Sequence, residues 1–225
     1  MKYSYLSLLV LLSFCLITCQ SKTEPVAAGY DFFPLETGRF WIYDVTEQQY
    51  SLGAAPINRT YQIREELTTS LGAATYRLER SRRSTENQAW QPDSISSVRL
   101  SHDQLIRTDN NLDYVKLIFP VDDQSLWNGN AFNTLGADDY QFRNMRQPFS
   151  VLNQTFPETV TILQQNDSTL VNQDKRVEVY ARTVGMIYRE RIQLQFCSST
   201  PSCVGSGQID FGIRQFVRLR SYGKP

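Results

Sequence analysis

His102 is the chain's single histidine, and it bounds the catalysis that could be built here. A Ser-His-Asp triad would have to run through it. Ser101 and Asp103 flank it, but neighbouring strand residues point to opposite faces, so these three do not form the triad among themselves. A surface or turn histidine is the expectation. A mononuclear zinc site needs several His or Cys ligands and is not easily assembled from this composition. Asp109, Asn111 and Asp113 have calcium-loop spacing, but Tyr114 stands where the loop needs Gly and Pro120 where it needs Glu. A polar turn is the better reading. Asp122-Asp123 and Asp138-Asp139 are acid pairs of the kind glycosidases use, and loop acids in solvent are expected because nothing makes them converge. No phosphate loop and no dinucleotide glycine pattern is present.

Cations carry the stronger signal. Arg189, Arg191, Arg214, Arg218 and Arg220 fall in the last two strand-like runs and could share one face. Such a basic stripe would suit a phosphate, a sulfated glycan or anionic lipid headgroups. The competing reading is a soluble edge paired with acids from mid-chain, because residues 103–173 hold 4 bases and 9 acids while residues 174–225 hold 9 bases and 4 acids. Cys197 and Cys203 bracket five residues that include a proline, a spacing that can reach disulfide range. A disulfide is expected. Two free thiols are the alternative, and a metal would need ligands that the segment lacks.

The elements that must position these residues read as strands. Tyr61, Ile63, Glu65 and Leu67 alternate with Thr60, Gln62, Arg64 and Glu66, and the same period of two recurs at Tyr76-Leu78, Val98-Leu100, Val115-Leu117-Phe119 and Val160-Ile162. In the last pair of runs, Met186, Tyr188, Ile192, Leu194 and Phe196 are expected inward, opposite Phe211, Ile213, Val217 and Leu219. The arginines would then face out, on a long hairpin stapled near its tip. One short helix is the candidate reading for residues 172–181. Turn residues such as Asn110-Asn111, Asn128-Gly129 and Pro148 divide the chain at roughly 8–15 residues per strand. The expected fold is all-β and mainly antiparallel: a barrel, a strongly curved sheet or a sandwich, with at most a short helix.

The N-terminus reads as an export signal. Lys2 precedes an apolar run from Leu6 to Ile17, too short to span a membrane, which takes ~20 residues. Leu16-Ile17-Thr18-Cys19 resembles the lipobox of bacterial lipoproteins, with Thr18 in place of the usual Gly, Ala or Ser. The resemblance implies cleavage after residue 18 and acylation, palmitate included, of Cys19; an ordinary secretory signal is the alternative. Residues 19–29 read as a tether and residues 30–225 as a single β domain. Removing residues 1–18 takes away one base and no acid, leaving 22 bases against 23 acids. That near-neutral balance argues against general nucleic-acid binding.

Three segments carry a wider resemblance. Phe33, Pro34, Leu35, Gly38, Trp41 and Tyr43 are followed by Phe119, Pro120 and Trp127, then by Tyr180, Ala181, Val184, Gly185 and Tyr188. Their order and spacing resemble a group of uncharacterised exported lipoproteins of Bacteroidetes-type bacteria. The resemblance implies one predominantly β domain and no activity. Asp-Ser-Ile at 93–95 and Asp-Ser-Thr at 167–169 resemble an O-glycosylation acceptor of such bacteria, which would place sugar on Ser94 and Ser168. The resulting expectation is an exported, lipid-anchored protein of the outer membrane or cell surface. It would have a non-catalytic binding or structural role and no cofactor or metal. Its partners would be the membrane and an anionic or hydrophobic ligand or an envelope protein. The alternatives are a carrier of lipid in a barrel cavity and a glycan hydrolase using the acid pairs.

Overall fold

The alternation at Trp41, Tyr43 and Val45 is realised as a strand, β1 (Phe40–Tyr50), whose three inward side chains are only 1–2% exposed. The computed structural model describes residues 28–224; the leader, Cys19 and most of the tether lie outside the described residues. The next strands are β2 (Ile57–Gly72), β3 (Thr75–Arg83), β4 (Gln91–Ser101), β5 (Gln104–Asp109) and β6 (Leu112–Ile118). They are followed by β7 (Leu126–Asn128), β8 (Asp139–Val151), β9 (Gln154–Ser168), β10 (Asn172–Ala181), β11 (Gly185–Phe196) and β12 (Ile209–Gly223). A 3-10 turn at Tyr30–Phe32 precedes them.

All twelve strands form one antiparallel sheet in the order β6-β5-β4-β3-β2-β1-β12-β11-β10-β9-β8-β7. Consecutive strands therefore pair with each other, save β6 and β7, which stand at the two ends of the order, and β1 also pairs with β12 in its centre. The two outermost strands come back together and nearly close a barrel. Val115 N–H donates to the Gly129 carbonyl at 2.9 Å, the Trp127 indole donates to the Val115 carbonyl at 2.9 Å, and Asp113 bridges to Phe132. This seam covers backbone that an open sheet would leave unpaired.

Antiparallel alternation puts the turns at 73–74, 102–103 and 152–153 at one end, the lower, and those at 51–56, 110–111 and 197–208 at the other. The segment before β1 plugs the lower end. The Phe33 ring stacks on Trp41 with centroids 5.3 Å apart and tilts against Tyr180 at 6.3 Å. The Trp41 indole donates to the Val184 carbonyl at 2.6 Å, and the Tyr43 hydroxyl donates to the Met186 carbonyl at 3.0 Å. Gly185 sits at φ +109°, where a Cβ would lie 3.0 Å from Trp41 Nε1. The first and third resemblance segments thus pack face to face, and their residues act in packing. Ala28 and Gly29, at the end of the expected tether, already touch the barrel. Val121 N–H donates to the Ala28 carbonyl at 2.9 Å, and Gly29 lies against the Val121 side chain.

Two local expectations are corrected. Residues 172–181 form strand β10, not a helix. Its inward residues include Arg176, Glu178 and Tyr180, while the apolar alternation of Val177 and Val179 lies on the outer face, the reverse of the usual strand. The last hairpin has only half of the expected facing. Strand β12 turns Ile213, Val217 and Leu219 inward as expected. On β11, however, Tyr188 pairs with Arg218 and Ile192 with Arg214, which puts them on the outer face. Arg189 and Arg191 pair with Val217 and Gln215 and point into the barrel. The cause is a bulge: β10 pairs Val179 with Tyr188 and Tyr180 with Met186, leaving Ile187 without a partner. One extra residue flips the side chains that follow it on β11. Leu194 is still buried, at 2% exposure, on that outer side. Cys197 and Cys203 are disulfide-bonded at the hairpin tip with Cα atoms 5.6 Å apart.

Gly185→Ala should lower stability by ~1–3 kcal/mol, through overpacking against Trp41 and an unfavourable φ. Denaturant titration reads this directly, and an unchanged midpoint would mean that the indole has room to shift.

Candidate functional site

Glu65 is a charge between two apolar neighbours, Ile63 and Leu67, on the inner face of β2, and it organises the middle of the lumen. Arg107, three strands away on β5, places Nη1 2.9 Å from Glu65 Oε2 and Nη2 2.6 Å from Oε1. Arg80 on β3 adds Nε and Nη2 bonds at 3.0 and 2.6 Å. Arg107 spends its Nε on Asp109, at 3.0 Å. Across the lumen, Lys116 Nζ reaches Glu178 Oε1 at 2.6 Å, and the Tyr180 hydroxyl donates to Oε2 at 2.8 Å. The Glu65, Arg107 and Glu178 side chains are 4%, 9% and 3% exposed, so these charges are buried. The space left among them is about 10 Å³, near the lower limit for one water.

Burial alone would raise the pKa of Glu65, but Arg107 and Arg80 overcome it and hold the carboxyl far below the usual range. Burial likewise opposes ionisation of Glu178, and Lys116 and Arg189 outweigh it. The Tyr43 and Tyr180 hydroxyls are pushed well up, chiefly by burial and then by neighbouring Glu65 and Glu178 respectively. The cluster therefore holds ionised acids and protonated phenols at neutral pH. A general acid or base poised for proton transfer would be shifted towards neutrality instead.

Above this layer, towards the upper mouth, the lumen stays polar. Arg176 grips Asp138 with a two-pronged contact at 2.6 and 3.0 Å and gives its Nε to Asp174 at 2.9 Å. Glu47 accepts from Arg59 at 3.0 Å, from Gln215 at 2.8 Å and from Tyr61 at 3.3 Å. Arg189 and Arg191 also line this region, and their polar contacts are to glutamines. Arg189 approaches Gln215 Oε1 at 3.5 Å, and Arg191 Nε donates to Gln193 Oε1 at 2.6 Å.

The five expected arginines are thus divided. Arg189 and Arg191 face the lumen, while Arg214, Arg218 and Arg220 face outward, so the single five-member stripe does not form. Arg214 donates to the Tyr50 hydroxyl and Arg218 to Thr46 Oγ1, while Arg220 pairs with Asp44 and with Glu86. His102 and Asp103 form the left-handed pair of the β4–β5 turn, at φ +47° and +61°. Ser101 Oγ lies 3.1 Å from His102 Nδ1, while Asp103 accepts from Tyr30, so the three are not arranged as a triad. Asp109 and Asp113 are engaged by Arg107 and Arg99 across the Asn110-Asn111 turn. Of the acid pairs, Asp138 is bound by Arg176, while Asp122, Asp123 and Asp139 are exposed. Ser94 and Ser168 are exposed, Ser94 within β4 and Ser168 at the end of β9. Cys19 lies outside the described residues.

Sequence reasoning missed Arg80, Arg107, Lys116 and Glu178 as a group. The visible signal was Glu65, a charge standing on an apolar strand face. Comparison of the chain with protein-family models, with curated proteins and with solved structures finds no match.

Glu65→Gln leaves Arg80 without a carboxylate and Arg107 with Asp109 alone, and should cost ~3–5 kcal/mol. Glu65 is more acidic in the folded than in the unfolded chain. Its contribution is therefore complete above its ordinary value of 4.5 and drains away as the pH falls towards the folded value. Stability should fall between about pH 5 and pH 3, and less steeply in Glu65→Gln. Parallel stability curves for the two proteins would contradict this role.

Proposed function

We propose that the protein is an exported, lipid-anchored component of the cell envelope whose barrel is a non-catalytic binding or structural module. The observation that carries this reading is the filled lumen. Its acids are committed to cations, its phenols stay protonated, and the space among them is about 10 Å³. No cleft for a reacting substrate and no tuned proton donor is built there. The same filling speaks against a carrier of an acyl chain, which would have to displace the buried ion network. The roomier spaces are open grooves, such as the one of about 580 Å³ between Phe156, Arg182 and Tyr222 at the lower end. A glycan hydrolase has no support from the acid pairs, which do not converge.

The anchor reading rests on Leu16-Ile17-Thr18-Cys19 and fits the direction of the barrel. Ala28 enters at the lower end, and residues 20–27 separate it from Cys19. Fully extended, that tether reaches roughly 30 Å. The lower end would face the lipid and the upper mouth would face away from it. Several acyl chains on one residue hold a protein stably, whereas a single chain does so only marginally.

Cys19→Ala should move the protein from the membrane fraction to the soluble fraction and abolish incorporation of labelled palmitate. Equal membrane retention and labelling of variant and parent would remove the lipoprotein reading.

A further inference from the structure

We propose that the upper mouth of the barrel is a binding site for a tetrahedral oxyanion, a phosphate or sulfate group, held between Arg189 and Arg191. The inference concerns the mouth alone and does not depend on the anchor.

The two guanidiniums stand two residues apart on the inner face of β11, so their stems emerge roughly 7 Å apart on the same side. Each acid close to them is already taken: Glu178 by Lys116 and Tyr180, Asp138 and Asp174 by Arg176, Glu47 by Arg59 and Gln215. Among the described residues, no carboxylate lies within 4.0 Å of either Arg189 or Arg191. The register makes the excess sharper. Arg191 stands directly opposite Arg176 across the β10–β11 ladder, a like-charge pairing that disfavours the empty site. Partial desolvation, then Arg189 and Arg176, pull the pKa of Arg191 below its ordinary value and outweigh the attraction of the more distant Asp174 and Glu47.

Guanidinium pairs are forked, planar donors matched to the oxygens of phosphate and sulfate. Gln193 and Gln215, which now occupy one donor of each arginine, hold them on the inner face. The space below is filled, so only the anionic group itself would enter, and the rest of any larger ligand would remain outside. That geometry fits the terminal phosphate or sulfate of a sugar or headgroup, as well as the free ion.

The test uses the full folded chain at about 0.01 M ionic strength, where screening is weak. Inorganic phosphate, inorganic sulfate, a hexose 6-phosphate and a short-chain phosphatidic acid are titrated separately, with binding read by calorimetry and by thermal stabilisation. Saturable binding of phosphate or sulfate is expected. It should weaken at least about tenfold in Arg189→Gln/Arg191→Gln and stay unchanged in Arg214→Gln/Arg218→Gln on the outer face. Tighter binding of the hexose phosphate or of the lipid than of the free ions would assign the anion to that larger ligand, and equal binding to the free ion. The single variant Arg191→Gln, altered at an exposed residue, decides the matter if the double variant does not fold. Absence of saturable binding in the parent, or equal binding in the lumen-face variants, would overturn the proposal.

Discussion

A wall of twelve strands encloses more cross-section than a ring of side chains fills, and everything else in this structure answers that constraint. Eight strands already give an interior that ordinary side chains just occupy. Here the lower part of the interior takes a plug, with Phe32 at 2% and Phe33 at 8% exposure beneath Trp41 and Tyr180. The middle takes the longest polar side chains available, arginine, lysine and glutamate, arranged so that each acid meets a cation. The cost of desolvating such charges is several kcal/mol per ion, and it is met only when geometry and hydrogen bonding are complete. Completeness is what the Glu65–Arg107–Arg80 and Glu178–Lys116–Tyr180 groups show.

The plug and the ion network depend on each other through β11. Gly185 allows Trp41 to lie flat against its backbone, which fixes where β11 begins. Two residues on, the Ile187 bulge reverses the strand's facing and sends Arg189 and Arg191 into the lumen. Arg189 then helps to keep Glu178 ionised, while Arg191 is left opposite Arg176. A packing decision at the lower end thus sets the charge balance at the upper one.

The strands that were legible have at least one apolar face: Trp41-Tyr43-Val45, Tyr61-Ile63, Tyr76-Leu78 and Val115-Leu117 alternate plainly. The turn at Asn110-Asn111 and the disulfide were legible from residue type and spacing. Three things were not. A single unpaired residue at Ile187 has no mark of its own in the sequence, yet it inverts the facing of the rest of β11. Strand β10 turns Arg176 and Glu178 inward and Val177 and Val179 outward, the reverse of the apolar-in facing that marks a strand. The ion pairs join residues 42 and 62 positions apart, and no local pattern says which acid meets which base. Glu65 was the one available hint, since a lone charge between Ile63 and Leu67 needs a partner in the core.

Buried charges fasten opposite walls of the barrel through its lumen. A double-mutant cycle on Lys116→Gln and Glu178→Gln tests it most directly, because this pair joins β6 to β10 across the interior at 2.6 Å. A coupling of ~1–3 kcal/mol by denaturant titration is expected, with the double variant less destabilised than the two single losses together. Losses that add to within about 0.5 kcal/mol would show two independent surface-like charges and contradict it.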